Sequence, residues 1–339
     1  MTNVLRVGVI GAGTIARFAH VPAYEKNMVC RLVAITDINE KARLEISKQF
    51  NIFRVYENAQ EMIEKEELDA VSICTPPNTH FELVLECAKK GIHVLCEKPL
   101  ALSVDDARMM VKECQKNGVV LAVGYTLRFY PNLEMVKERL MQGKLGQLHS
   151  IVSVYHHVFP KTRWIFDPTV SGGGVIMDLG SHVIDLHNWL IDDEIDELSV
   201  FADFDERLNV EKEASIILKY KNGITTMMSL NWLAPQETEE HYIAGSACMD
   251  IADGFTQLRH KHMFDVYKSG YKALFRDFLH NMISPPHKSN PWQTEIDDFI
   301  SSIVNRRQPR ATGVDGLKVT KIIEQIYRQK TTDRLKSSK

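Results

Sequence analysis

The chain has 339 residues, 44% hydrophobic and 25% charged, which suits a globular protein long enough for two domains with cores of their own. A net charge of −3 supplies no field that would draw nucleic acid or an anionic membrane surface. No apolar run approaches the length of a membrane span, so a membrane protein is not expected either. The six cysteines are scattered without a C-x-x-C pair, which points to free thiols in a reducing compartment. The apolar stretch at the N-terminus is too short and too broken by glycine for an export signal, and the expected location is cytoplasmic.

Val4 to Ile10 is a β-branched apolar run that leads at once into Gly11-Ala12-Gly13-Thr14-Ile15-Ala16. Further strand-like runs follow at 31–36, 53–58, 69–75, 93–99 and 119–125, separated mostly by helix-periodic segments. Near-continuous apolar strands alternating with amphipathic helices predict a parallel sheet covered on both faces, a doubly wound α/β domain over residues 1–125. The glycine turn between a strand and a helix is where such a domain holds a dinucleotide. Gly11 permits the tight turn, Gly13 lets a pyrophosphate approach the backbone, and Ala16 allows close helix–strand packing. Thr14 and Ile15 open the helix whose free N–H groups face the phosphates.

Asp37 ends the second strand, where an acidic residue grips the ribose hydroxyls. Its charge repels a 2′-phosphate and Ile38 offers no cation for one, so NAD is favoured over NADP. The competing role for Asp37 is a helix N-cap. Thr75-Pro76-Pro77-Asn78-Thr79-His80 leaves the strand at 69–75 on the edge where ligands of open sheets bind, which assigns Thr75, Pro76, Asn78 and His80 to the cofactor crevice. Thr79 and Glu82 also read as a capping box, with Gly91 as the C-terminal stop. Cys96-Glu97-Lys98-Pro99 closes the next strand. Glu97 and Lys98 there belong to the cofactor crevice, and a lysine on that edge would face its nicotinamide half.

GAGTIA, the Asp37 strand end, ICTPPNTH, HVLCEKPLA and GGGVIMDLGSHVIDL resemble, in order and spacing, the motifs of the Gfo/Idh/MocA oxidoreductases. The resemblance covers nearly the whole chain and continues in RFYP, WIFDP and the C-terminal helical segments. It implies an α/β chain in which an N-terminal Rossmann dinucleotide-binding domain precedes an α/β domain with a large open mixed sheet. It also implies NAD(P)-dependent hydride transfer to or from sugars, cyclitols and related polyols. The matching catalytic positions would be Lys98, Asp178 and His182. Some branches carry tyrosine where His182 stands; the histidine is more like the inositol dehydrogenases.

From about residue 126 the rhythm changes, and residues 126–339 are expected to form a substrate-binding and oligomerisation domain. Residues 146–158 alternate in part, placing Leu148, Val152, Val154 and Val158 on one strand face. Two further strands flank Lys221-Asn222-Gly223, a hairpin signal. Such a sheet packs helices on one face. If the other face stays open, it is an interface for a homodimer or homotetramer. Amphipathic segments near 293–305 and 313–328 complete the packing.

Asp178 and His182 lie four apart, just after Gly172, Gly173 and Gly174. Three readings compete. Asp178 could simply offset a helix dipole beside a satisfied histidine. A metal site would add Asp185 or His187, but those spacings do not share one helical face, and His156-His157 and His260-x-His262 are too distant in sequence to join it; no metal is expected. The third reading, preferred, is an acid/base pair in which His182 takes the hydroxyl proton, Asp178 orients it and Lys98 steadies the developing charge. The glycines would leave room and backbone N–H groups for a polyol. Tyr125, Arg128, Trp164 and Asp167 are candidates for the substrate rim, with ordinary packing as the competing role of each. The rival functions are an NAD-dependent redox glycoside hydrolase and a non-catalytic NAD-binding regulator.

Overall fold

In a computed structural model describing residues 4–205, 207–254, 257–262 and 290–337, the apolar runs of the first third form a six-stranded sheet. Its strands are β1 (Leu5–Ile10), β2 (Cys30–Thr36), β3 (Arg54–Tyr56), β4 (Ala70–Ile73), β5 (His93–Cys96) and β6 (Leu121–Val123). They lie in the order β3-β2-β1-β4-β5-β6 with every neighbouring pair parallel. The order reverses between β1 and β4, so a crevice opens beyond their carboxyl ends, where Gly11 and Thr75 leave the sheet. Val7, Val9, Ala70, Val71 and Val94 are fully buried, as strands covered on both faces require.

Side-chain caps start several of the helices between these strands. Asn39, Asn58 and Ser103 accept from the third residue of Glu40–Phe50, Ala59–Lys65 and Val104–Lys116 respectively. The expected capping box at Thr79 is not formed. A turn at Pro77–Thr79 draws Thr79 into a helical conformation, away from the extended one a cap needs, and its hydroxyl donates to the Pro76 carbonyl at 2.8 Å. Gly91 does end helix His80–Lys89, with φ +75°.

The chain divides into two compact units after Thr126, but the division is not a single cut. Asn290–Lys321 belongs with the first unit, in contrast to the expectation of one second domain over 126–339. Ile296, Phe299 and Ile300 of helix Pro291–Val304 share a core with Val7, Val9 and Tyr24. At about 1.5–3 kcal/mol for each such buried side chain, that apolar face has a strong reason to stay on the first sheet. Ala122 on β6 also bridges Thr312, covering the sheet's edge.

The second unit is built on a seven-stranded mixed sheet: β7 (Leu148–His156), β8 (Ile195–Asp205), β9 (Val210–Tyr220), β10 (Thr225–Asn231), β11 (Thr238–Gly245), β12 (Cys248–Asp253) and β13 (Gln257–His262). The order is β13-β12-β11-β7-β10-β9-β8, with β7 and β10 parallel and the other pairs antiparallel. The β9–β10 hairpin turns through Lys221-Asn222-Gly223, with Gly223 at φ +87°. Ile151, Leu186, Leu190 and Ile243 share the core of this unit with Leu133 and Val136 of helix Pro131–Met141.

The β7 alternation has one buried face and one open face. Ile151, Ser153 and Tyr155 are buried, while Val152 and Val154 are only partly covered. The apolar stripe seen in the sequence therefore lies on the open side. Register places Ser199, Ile217, Met227, Val152, Tyr242 and Ile251 in one row across that side. Phe201, Ile217 and Met227 on it are 71%, 38% and 43% exposed, so this face is apolar and, among the described residues, uncovered.

Candidate active site

In the first unit the glycine turn and the β2 end are tied together. The Ala12 N–H donates to Asp37 Oδ2 at 2.6 Å and the Asn39 N–H to Asp37 Oδ1 at 2.7 Å. The helix-cap role considered for Asp37 falls to Asn39. At Gly11, φ is +98° and a Cβ would lie 2.8 Å from the Cys74 carbonyl group, so only glycine fits between β1 and the β4 exit. A Cβ at Gly13 would meet nothing within 4 Å, and Gly13 and Thr14 are exposed. This open backbone at a helix start, with a carboxylate at the neighbouring strand end, fits a dinucleotide pyrophosphate and ribose. Asp37 can still receive ribose hydroxyls, since a carboxylate has about four acceptor positions. One cation escaped the sequence argument: Arg43 Nη1 donates to the Asp37 carbonyl oxygen at 3.1 Å.

The crevice residues differ in what they offer. Asn78 is exposed and Thr75 and Pro76 are half-buried, whereas His80 is fully buried. Its ring nitrogens lie 2.9 and 3.0 Å from the Thr75 and Pro99 carbonyl oxygens, so His80 spans two loops and does not reach outward to a cofactor. Glu97 is likewise inward, with Oε1 2.8 Å from His20 Nε2 and Oε2 accepting the Lys98 N–H at 3.2 Å. The Lys98–Pro99 peptide is cis. From Val94 to Ala101, Lys98 alone escapes burial. Tyr125, taken as a rim candidate, is fully buried and presents no surface to a substrate.

In the second unit the glycine-rich segment packs more tightly than expected. A Cβ at Gly173 would lie 1.9 Å from the Tyr327 hydroxyl, and one at Gly174 would lie 2.0 Å from the Glu211 carbonyl oxygen. Glu211 Oε1 accepts from Gly174 N–H at 3.0 Å, Ile176 N–H at 3.1 Å and Tyr327 O–H at 2.7 Å. The glycines thus admit a strand and a tyrosine, and the Gly174 N–H goes to Glu211; they do not leave room for a polyol. Glu211 also fills the dipole-offsetting role considered for Asp178.

A π-turn at Ile176–Gly180 runs into helix Ser181–Ile191. Between Gly173 and His187, only Asp178 and His182 are not buried. Asp178 Oδ2 accepts the Trp232 indole N–H at 3.2 Å, and Phe166 meets Trp232 edge-on at 6.0 Å. Tyr155 stands edge-on to His182 at 6.2 Å and to His157 at 4.9 Å; burial, then Glu239, push its phenol well up, so it stays neutral. Neither Trp232 nor Tyr155 was legible as a partner, because contacts between a helix and distant strands leave no spacing in the sequence. Trp164 and Asp167 are exposed on the 163–167 turn.

Arg128 is the clear correction. It is buried, and its Nε and Nη2 donate to the two Asp185 oxygens at 2.8 and 2.6 Å, a two-pronged pair inside the protein and not a substrate contact. That pairing also removes Asp185 from any metal site. His187 is buried on Ser153, and burial followed by the nearby His241 pushes it down to about 3. Among the described residues no group of three or more His, Cys, Asp or Glu could hold a metal; the side chains of His260 and His262 lie outside them.

A family model described as an oxidoreductase family with an NAD-binding Rossmann fold matches residues 5–125, and a Gfo/Idh/MocA C-terminal domain model matches residues 133–249. The chain belongs to the Gfo/Idh/MocA oxidoreductase family. The first unit accordingly carries the NAD-binding fold of that family. A myo-inositol 2-dehydrogenase of Thermotoga maritima is 32% identical over 228 residues, a stretch that is 65% of this chain and 66% of that protein. A D-apiose dehydrogenase of Paraburkholderia graminis is 26% identical over 97% of this chain and 89% of its own length. A levoglucosan dehydrogenase solved with NADH and L-sorbose superposes with a TM-score of 0.85 at 20% identity, covering 96% of both chains. This last likeness shows that the two proteins share a fold over almost their whole length.

Proposed function

We propose that this protein is an NAD-dependent dehydrogenase that oxidises a secondary hydroxyl of a sugar, cyclitol or related polyol. One observation carries the reading: between Val94 and Ala101, and between Gly173 and His187, only side chains suited to this chemistry escape burial. They are Lys98 in one, and Asp178 with His182 in the other. Residues Gly11 to Ala16, Asp37, Thr75, Pro76 and Asn78 would hold the cofactor. Bound NAD supplies the hydride acceptor. His182 takes the hydroxyl proton, a task suited to imidazole near neutral pH. Asp178, its carboxylate fixed by Trp232, orients the site and favours the charged imidazole. Lys98 donates to the substrate oxygen and steadies its developing negative charge. Trp164 and Asp167 complete the substrate rim.

The relatives named for myo-inositol, D-apiose and D-glucosides define the probes. Incubation of the purified protein and NAD with these polyols and sugars is expected to yield NADH stoichiometrically, read at its absorbance band. Sugar release from a glycoside without net NADH would instead identify a redox hydrolase.

Asp37 makes the site selective for NAD over NADP. Asp37→Ala is expected to weaken NAD binding about 10-fold, since a charged acceptor to the ribose contributes about 1.5–3 kcal/mol, part of which solvent replaces. It also leaves Arg43 without the neighbouring carboxylate, so the NADP-to-NAD affinity ratio should rise, and adding Arg43→Ala should reverse that rise. Fluorescence titration of both cofactors measures this; an unchanged ratio in Asp37→Ala would remove the selectivity argument.

Self-association through the open apolar face of the seven-stranded sheet belongs to the same reading, because uncovered Phe201, Ile217 and Met227 are stabilised by a second copy. So does a cytoplasmic place, which suits six buried free thiols.

A further inference from the structure

The first unit holds a cavity that the proposed reaction does not use. It measures about 530 Å³, within the roughly 300–1,000 Å³ of small-molecule sites. Its walls are the end of helix Val104–Lys116, the starts of β5 and β6, the end of helix Pro291–Val304 and the start of helix Gly313–Ser337. His93 opens β5 and Leu121 opens β6, so the cavity lies at the amino edge of the parallel sheet. Gly11, Thr75 and Lys98 leave the opposite, carboxyl edge, so a ligand here leaves the cofactor crevice free. The lining mixes two chemistries. Val111, Val119, Val120, Leu121 and Ile303 are apolar, while His93, Gln115, Arg306, Arg307 and Gln308 carry donors. Among the described residues no Asp or Glu lines it.

The two arginines differ. Arg307 is committed, with Nη2 2.7 Å from Asp298 Oδ1. Arg306 is exposed, and its guanidinium has no hydrogen-bond or ion-pair partner among the described residues. Its backbone is also one that arginine rarely adopts. Helix Pro291–Val304 ends in a Schellman turn, the Arg306 N–H donating to the Ile303 carbonyl at 3.3 Å and the Arg307 N–H to the Ser302 carbonyl at 3.0 Å. Arg306 fills the left-handed position of that turn, φ +50°, where glycine is favoured. A cation there offsets the helix dipole, but one a turn earlier would do so without the left-handed backbone. His93 adds a neutral donor. Its Nδ1 accepts the Val120 N–H at 2.8 Å, which leaves the ring proton on Nε2. Burial, opposed by Asp69, holds the imidazole below its usual range. We propose that this cavity binds a small amphipathic anion, a carboxylate or phosphate ester on an apolar body, with its charge on the Arg306 guanidinium and the His93 Nε2–H and its body on Val119, Val120 and Ile303. A guanidinium takes either oxyanion through two parallel hydrogen bonds.

This site does not depend on the dehydrogenase reading, and binding alone tests it. Saturating NAD keeps the cofactor crevice filled while the full chain is titrated calorimetrically with 2-naphthoate, 2-naphthyl phosphate, neutral 2-naphthamide and inorganic phosphate. At least one naphthyl anion is expected to bind one-to-one, at least tenfold more tightly than 2-naphthamide or inorganic phosphate. Which of the two binds better separates a carboxylate ligand from a phosphate ester. The bound anion should slow phenylglyoxal labelling of Arg306 at least threefold, read by mass spectrometry, with exposed Arg207 unchanged. Arg306→Gly should weaken anion binding at least tenfold without lowering the thermal midpoint, because glycine suits the left-handed position. Val119→Glu, which sets a carboxylate on the apolar wall, should weaken it as well. Failure of both naphthyl anions to bind overturns the proposal, and so does undiminished affinity in Arg306→Gly or labelling of Arg306 that the anion leaves unchanged. Equal affinity for 2-naphthamide overturns the anionic ligand, and equal affinity for inorganic phosphate overturns the apolar body.

Discussion

Lys98→Ala is expected to lower kcat by about 10²–10³ while leaving NAD affinity within a few fold. Removing one preorganised donor to a developing oxyanion costs about 2.7–4 kcal/mol of transition-state stabilisation, which sets this range. Cofactor affinity persists because the glycine turn, Asp37 and the Thr75–Asn78 loop are untouched. Stability should change little, since Lys98 is half-buried and closes no cavity when shortened. Steady-state NADH production and cofactor fluorescence measure the two quantities on the same preparation. A fall in NAD affinity that accounts for the whole loss of rate would make Lys98 a cofactor ligand and leave the oxyanion role unsupported.

The second large effect is on stability. Arg128→Ala should destabilise the protein by about 3–5 kcal/mol, because it leaves the Asp185 carboxylate, fully buried, without its guanidinium. Asp185→Ala should do the same in reverse. Arg128→Met combined with Asp185→Leu should recover much of the loss, since apolar replacement of a buried pair is often neutral or better. Denaturant and thermal melts of the three variants read this directly. An Arg128→Ala protein that melts like the native one but binds polyols poorly would restore Arg128 to the substrate rim.

Both predictions concern residues first noticed in sequence motifs, yet the sequence ranked them differently from the structure. Lys98 could be placed because it ends an apolar strand whose edge is set by topology, and the end of a parallel strand is legible from the run itself. Arg128 sat in an equally suggestive stretch, but its partner is 57 residues away and no local pattern encodes that meeting. The glycines before Asp178 illustrate the same limit. Three small residues in a row announce a close approach, but whether a ligand, a strand or a tyrosine approaches depends on Glu211 and Tyr327, which lie far along the chain. The β7 alternation identified a strand but not which of its faces is packed, because Val152 and Val154 are apolar on a face that stays open. Helix Pro291–Val304 was visible as an amphipathic segment, while the sheet that it covers was not.

The sequence by itself determined what short-range physics can fix. β-branched runs alternating with amphipathic helices impose a parallel sheet, a glycine turn at a strand end imposes an open backbone for phosphates, and Asp37 follows at a distance the strand lengths dictate. The tertiary structure alone decided which polar side chains face inward and which face out. That choice depends on the energy of burying charge, which is tolerable only where a partner from elsewhere in the fold arrives within hydrogen-bonding distance, as Asp185 does for Arg128 and His20 for Glu97.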